Sequence, residues 1–154
     1  MSDARWIEIE AAVAAAVRHF SGAVEIFARL PAVEQESDKY SFEMGFMHAM
    51  QSGQTSMEAA LLRILDLCGE EAPTGPRWHA DLMARVSRAV GARPAIFGAE
   101  AAKAANETRQ FRSIAAHAYD SFDRMRALPA VESAGVLAAL LPAEIERFRQ
   151  TIDP

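Results

Sequence analysis

The string FRSIAAHAYD, residues 111–120, sets Arg112, His117 and Tyr119 into an alanine-rich segment of a chain that has four histidines and two tyrosines. Histidine changes charge near neutral pH and arginine stays charged throughout, so such a pair could move a proton beside a held anion. The spacing sets a condition on that chemistry. Arg112 and His117 are separated by roughly 140° around an ideal helix, so one straight helix does not let them meet. Arg112 and Tyr119 share a face. If the three groups act together, something beyond a single regular helix must bring them together.

The charge distribution singles out the same region. The net charge is −5, which argues at first against nucleic acid as a partner, but the charge is uneven. Residues 1–76 carry 5 basic and 12 acidic side chains, residues 77–126 carry 9 and 5, and residues 127–154 carry 2 and 4. The segment around Arg112 is thus the positive part of the chain, and local field rather than net charge decides whether phosphate is attracted. Taken alone, such a cluster is also what an ordinary solvated helical face looks like.

Other chemistries find little support. There is no Glu-x-x-His for a di-metal carboxylate bundle, no HExxH zinc motif and no P-loop. One cysteine and four scattered histidines give no zinc spacing, so no metal or cofactor is expected. His19 reads as a residue at the border of the first helix, and His48 as a bundle or interface residue. For His79, packing and end-capping beside Trp78 are a sufficient account. Met44, Met47 and Met50 follow helical spacing, as adaptable core or interface filler does. Cys68 reads as a buried core thiol in a reducing compartment. The acidic start MSDARWIEIE lacks a signal-peptide layout, and no uninterrupted apolar run has the roughly 18 residues of a membrane span. The expected location is the cytoplasm.

The elements that must position these residues are helical. Trp6, Ile9, Val13, Ala16, Phe20, Ala23, Phe27 and Leu30 recur in steps of three and four, which predicts one long amphipathic helix ended by Pro31. A second helix is expected from Ser37 or Asp38 to Gly69, continuous but weakened at QSGQTS, with Phe42, Phe46, Ala49, Met57, Ala60, Leu61, Ile64 and Leu67 on its apolar side. GEEAPTGPR is a loop, WHADLMARVSRAV a short helix closed by Gly91, and GARPAIFG a connection. AEAAKAANETRQFRSIAAHAY has high helix propensity. DSFDRMRALPAVES is ambiguous between loop and turns, and a last helix is expected from a Ser133 cap to Ile152, bent at Pro142. No segment alternates with period two long enough for a strand. The expected architecture is all-α: an antiparallel bundle of four main helices plus a short one, as a single domain over residues 1–154.

Residues 112–119 fit the pattern R-x4-H-x-Y. With GPRWHADLMARV and RPAIFG before it and LLPAEIERFRQTI after it, the chain resembles the HepT-like proteins of the HEPN superfamily, over roughly residues 5–152 and most specifically 75–122. The resemblance implies a homodimeric helical bundle in which the motifs of two subunits face each other, so that Arg and His need not converge within one helix. It implies metal-independent RNA cleavage, in which the substrate's own 2′-OH attacks the phosphodiester. His117 would then be the proton-transfer residue and Arg112 the phosphate clamp, while Tyr119 matches the tyrosine that a partner nucleotidyltransferase antitoxin modifies with AMP to silence such toxins. Two positions depart from the pattern: Ser113 stands where active members carry a larger polar residue, and Ala116 where relatives often add a basic one. These departures leave open a module that binds or regulates a nucleotidyltransferase without cutting RNA, and, more blandly, a bundle with a purely structural interaction role.

Overall fold

The computed structural model describes residues 3–117 and 122–154, with the side chains of residues 114–117 outside that description. Five α-helices follow one another: α1 (Ala4–Arg29), α2 (Glu36–Leu67), α3 (Trp78–Val86), α4 (Ala99–His117) and α5 (Arg124–Ile152). Among the described residues there is no strand, only an isolated bridge between Val90 and Arg93. The fold is all-α, with four long helices and one short one, as the periodicity predicts.

All eight residues of the α1 stripe are buried. Asp3 caps the helix by accepting the backbone N–H of Arg5 at 2.9 Å, and Leu30–Ala32 form a 3-10 turn around Pro31. The α1 stripe lies antiparallel on α2, where Phe20 meets Gly53 and Phe27 meets Phe46. Gly53 does not break α2, which is one helix from Glu36 to Leu67. A Cβ at that position would lie 2.6 Å from Cδ1 of Phe20, so the glycine lets an aromatic ring rest on the helix backbone. The C-terminus of α2 is a Schellman motif: Glu70 N–H reaches Leu65 O and Gly69 N–H reaches Asp66 O, with Gly69 at φ 76°. Cys68, expected to be buried, is half-buried at this helix end, and desolvation raises the pKa of its thiol.

The last helix departs from expectation. α5 starts at Arg124 rather than after Ser133, because Asp123 caps it, accepting N–H bonds from Met125 at 3.0 Å and Arg126 at 3.3 Å. It continues through Pro129 and Pro142, burying Ala127, Ala130 and Val131 upstream of the expected start. Packing thus outweighs the proline penalty. α5 runs antiparallel to α1, with Arg149 paired to Glu10 at 2.6 Å at one end and Arg124 over the Phe27 ring at the other. It also packs on α4, whose inner face of Ala101, Ala104 and Ala105 permits close approach.

By length and mean hydropathy (1.3 and 1.4), the spans Ala4–Ala32 and Arg124–Ile152 could cross a membrane. In the bundle, however, their apolar stripes are committed to the core.

Candidate functional site

α4 is held to α2 by two polar rungs, one turn apart on each helix. Thr108 Oγ1 donates to Gln54 Oε1 at 2.7 Å, and Arg112 Nη1 donates to Glu58 Oε1 at 2.8 Å. Gln54 and Glu58 belong to the inward face of α2 together with Met50, Met57, Leu61 and Leu65, so a carboxylate is buried in the bundle. The other carboxylate oxygen, Oε2, binds Nδ1 of His79 at the start of α3. Glu58 is 2% exposed, whereas the Arg112 and His79 side chains keep 35% and 30%. One buried anion therefore orients two side chains that still reach the surface.

Neighbouring contacts fix each partner. The His79 ring stacks on Trp78, with centroids 3.6 Å apart and planes inclined by 30°. α3 itself is held by its buried Leu82, Met83 and Val86, and the Val86 carbonyl accepts the N–H groups of Ile96 and Phe97 at 2.9 and 3.1 Å. Below Arg112, Phe111 meets the edge of Phe46, which also contacts Phe27 and Phe122. The connection between α3 and α4 is braced by Arg93, which is buried, paired with Glu70, and bonded to the carbonyls of Arg85, Arg88 and Pro94. At the start of α4, the Gly98 N–H donates to Glu144 Oε1 of α5 at 2.9 Å.

Arg112 lies at the boundary of two cavities of about 520 Å³ each. One is lined by Arg77, His79, Arg109 and Ser113. Its lining brings together the side chains of Arg77, Arg109 and Arg112, and three guanidinium groups make a field suited to an anion. The other is lined by His19, His48, Ser52 and Thr55, polar groups from α1 and α2. The His19 pKa is lowered by desolvation first and then by the charges of Arg18 and His48. Among the described residues, no group of three or more His, Cys, Asp or Glu side chains could hold a metal ion.

Of the residues singled out by the sequence, Arg112 and Ser113 line the first cavity together. The backbone of His117 belongs to α4, but its side chain, and all of Tyr119, lie outside the described residues. Sequence reasoning missed Glu58 and took His79 as a packing residue. The overlooked signal was a glutamate on the apolar stripe of α2.

Residues 45–152 match the family model described as HepT-like protein. The chain belongs to the HepT-like family. No curated protein and no solved structure matches it. The matched span contains α3, α4, α5 and most of α2, and so every residue of the Glu58–His79–Arg112 cluster.

Proposed function

We propose that this HepT-like protein is a metal-independent endoribonuclease toxin of a toxin–antitoxin pair, formed by one HEPN-like domain over residues 1–154 and acting as a homodimer in the cytoplasm. The observation that carries this reading is the setting of Arg112. The first residue of R-x4-H-x-Y is half-exposed, is oriented by a buried carboxylate, and lines a cavity with Arg77 and Arg109. In this reading Arg112 holds the scissile phosphate and stabilises the extra negative charge of the pentacoordinate transition state. His117 transfers a proton, and the RNA 2′-OH supplies the nucleophile, so no metal is required. A nucleotidyltransferase partner silences the protein by transferring AMP to Tyr119, where a bulky anion would block a phosphate site by occupancy and repulsion.

The test is cleavage of a labelled, unstructured RNA in EDTA. Wild-type protein should leave 2′,3′-cyclic phosphate ends, and His117→Ala should not cut. Full-rate cleavage by His117→Ala would end the assignment. Ser113 and Ala116 favour a second reading, because both are small where active relatives carry polar or basic groups. That reading is a module that docks on a nucleotidyltransferase without cutting RNA. Its signature would be an inert wild-type dimer that binds the transferase tightly.

A further inference from the structure

The two cavities that meet at Arg112 differ in charge. In the one beside α3, Arg77 and Arg109 join Arg112, and no Asp or Glu lines it among the described residues. The other offers hydroxyls, an amide and two imidazoles, with no guanidinium besides Arg112. We infer that the cavity beside α3 is a subsite for a second, uncleaved phosphate of the strand, adjacent to the one held by Arg112, with Arg77 and Arg109 as its binding residues. The substrate is then an oligoribonucleotide with at least two consecutive phosphates. This rests on the ribonuclease reading above and adds to it two residues outside the motif and a lower limit on substrate length.

The contacts of each arginine separate the roles. Arg112 Nη1 donates to Glu58 at 2.8 Å, so one of the three charges is already matched by a buried carboxylate. Arg109 is held by a neutral group: its Nε and Nη2 donate to Oδ1 of Asn106 at 3.0 and 2.7 Å, which fixes the guanidinium without cancelling its charge. The Arg77 side chain makes no hydrogen bond or ion pair with a described residue. Two uncompensated cations on one cavity repel each other, and an anion bound between them relieves that repulsion.

Their placement fits a strand rather than a single phosphate. Arg112 sits at the boundary of both cavities, whereas Arg77 and Arg109 line only one. Arg109 precedes Arg112 by three positions on α4, so the two share a face with Cβ atoms roughly 5–6 Å apart. Arg77 stands at the cap position of α3. A strand crossing the boundary thus leaves one phosphate at Arg112 and carries the next into the cationic cavity, whose volume of about 520 Å³ suits a nucleotide-sized group.

The probes are 2′-O-methyl dinucleotides, which lack the attacking hydroxyl: the plain dinucleotide, and the same unit with an added phosphate at its 5′ or its 3′ end. One extended form should bind wild-type protein about tenfold more tightly than the plain one, and Arg77→Gln and Arg109→Gln should each abolish most of that advantage. With a 2′-O-methyl hexanucleotide, each variant should flatten the dependence of log Kd on log salt by about 0.7. Arg29→Gln removes an exposed arginine already paired with Glu25 and should leave that slope unchanged. With cleavable RNA, each cavity variant should raise KM about tenfold and hold kcat within about threefold. Equal affinity for the three dinucleotides, or equal flattening in Arg29→Gln, would overturn the proposal whether or not the protein cuts RNA. A loss confined to kcat would place both arginines on the scissile phosphate and also overturn it, leaving the ribonuclease reading intact. A wild type that is inert in EDTA yet keeps the dinucleotide advantage would remove that reading and uphold the subsite.

Discussion

Removing either side of the Glu58–Arg112 pair should have very different consequences for stability, although the same 2.8 Å hydrogen bond is lost. Glu58 is 2% exposed, whereas the Arg112 side chain keeps 35% of its surface in water. Arg112→Met strands one oxygen of a carboxylate that cannot reach solvent. Breaking a fully buried pair in this way costs about 3–5 kcal/mol. The retained His79 contact and the partial exposure of the site reduce that to about 2–3 kcal/mol. Glu58→Met instead puts an apolar side chain among Met50, Met57, Leu61 and Leu65, and releases two groups that can turn toward water. Exchange of a buried charge for a hydrophobe of similar size is often neutral, so the expected change is within about 1 kcal/mol. The double variant should resemble Glu58→Met alone, because the stranded anion is then gone. Urea unfolding at fixed protein concentration gives the three differences, and the coupling energy should be about 2 kcal/mol. In thermal melts Arg112→Met should lower Tm by roughly 4–12 °C. A Glu58→Met protein destabilised as much as Arg112→Met would refute the reasoning, since the pair would then be a net source of stability rather than a buried anion that needs its cation.

Two glycines offer a matched test of packing. Gly53→Ala puts a Cβ 2.6 Å from the Phe20 ring and should cost about 1–2 kcal/mol even after the gain in helix propensity, whereas Gly22→Ala, with nothing within 4 Å, should stabilise by up to about 1 kcal/mol; denaturant midpoints of opposite sign are the check. Asp123→Ala removes the cap of α5 and should cost about 1 kcal/mol, with faster amide exchange confined to its first turn. The pKa of Asp3 is lowered to about 2, first by the side-chain and then by the backbone hydrogen bond from Arg5. Its capping contribution is therefore complete above the ordinary value of 3.8 and is lost as pH falls toward 2; the amides of the first α1 turn should lose exchange protection in that window.

The legibility of the fold tracks how much of each helix's stability lies in its own periodicity. α1 announces itself because its eight stripe positions are all apolar and all buried. The first part of α5 does not, because Pro129 and a run of small or exposed residues conceal the stripe: Ala127, Ala130 and Ala134 are buried, while Met125 and Leu128 face solvent. Alanines on a buried face carry almost no pattern in sequence, yet they permit close helix contact, so this segment becomes a helix through its neighbours rather than through its own residues. Gly53 illustrates the same limit: a glycine amid polar residues suggests a weak point until the ring of Phe20, 33 positions earlier, is placed on it.

For the site, the half that chemistry marks by residue type was readable and the half that burial creates was only partly so. Arg112 stands out within its motif. Glu58 could have been found by a different criterion, since a charged residue in register with Met50, Met57, Leu61 and Leu65 is either an error of register or a buried anion in need of partners. His79 carries a similar signal: positions 79, 82, 83 and 86 share one face of α3, and the last three are buried, so the imidazole belongs to the inward side of its helix rather than to a cap. What periodicity cannot give is the pairing. Glu58 lies 54 residues from Arg112 and 21 from His79, and only the crossing of α2 by α4, with α3 laid beside both, turns three separate anomalies into one cluster. A buried acid with two half-exposed partners costs folding free energy that an apolar trio would not, and such a cost at the wall of a cationic cavity is what a site oriented for chemistry would be expected to carry.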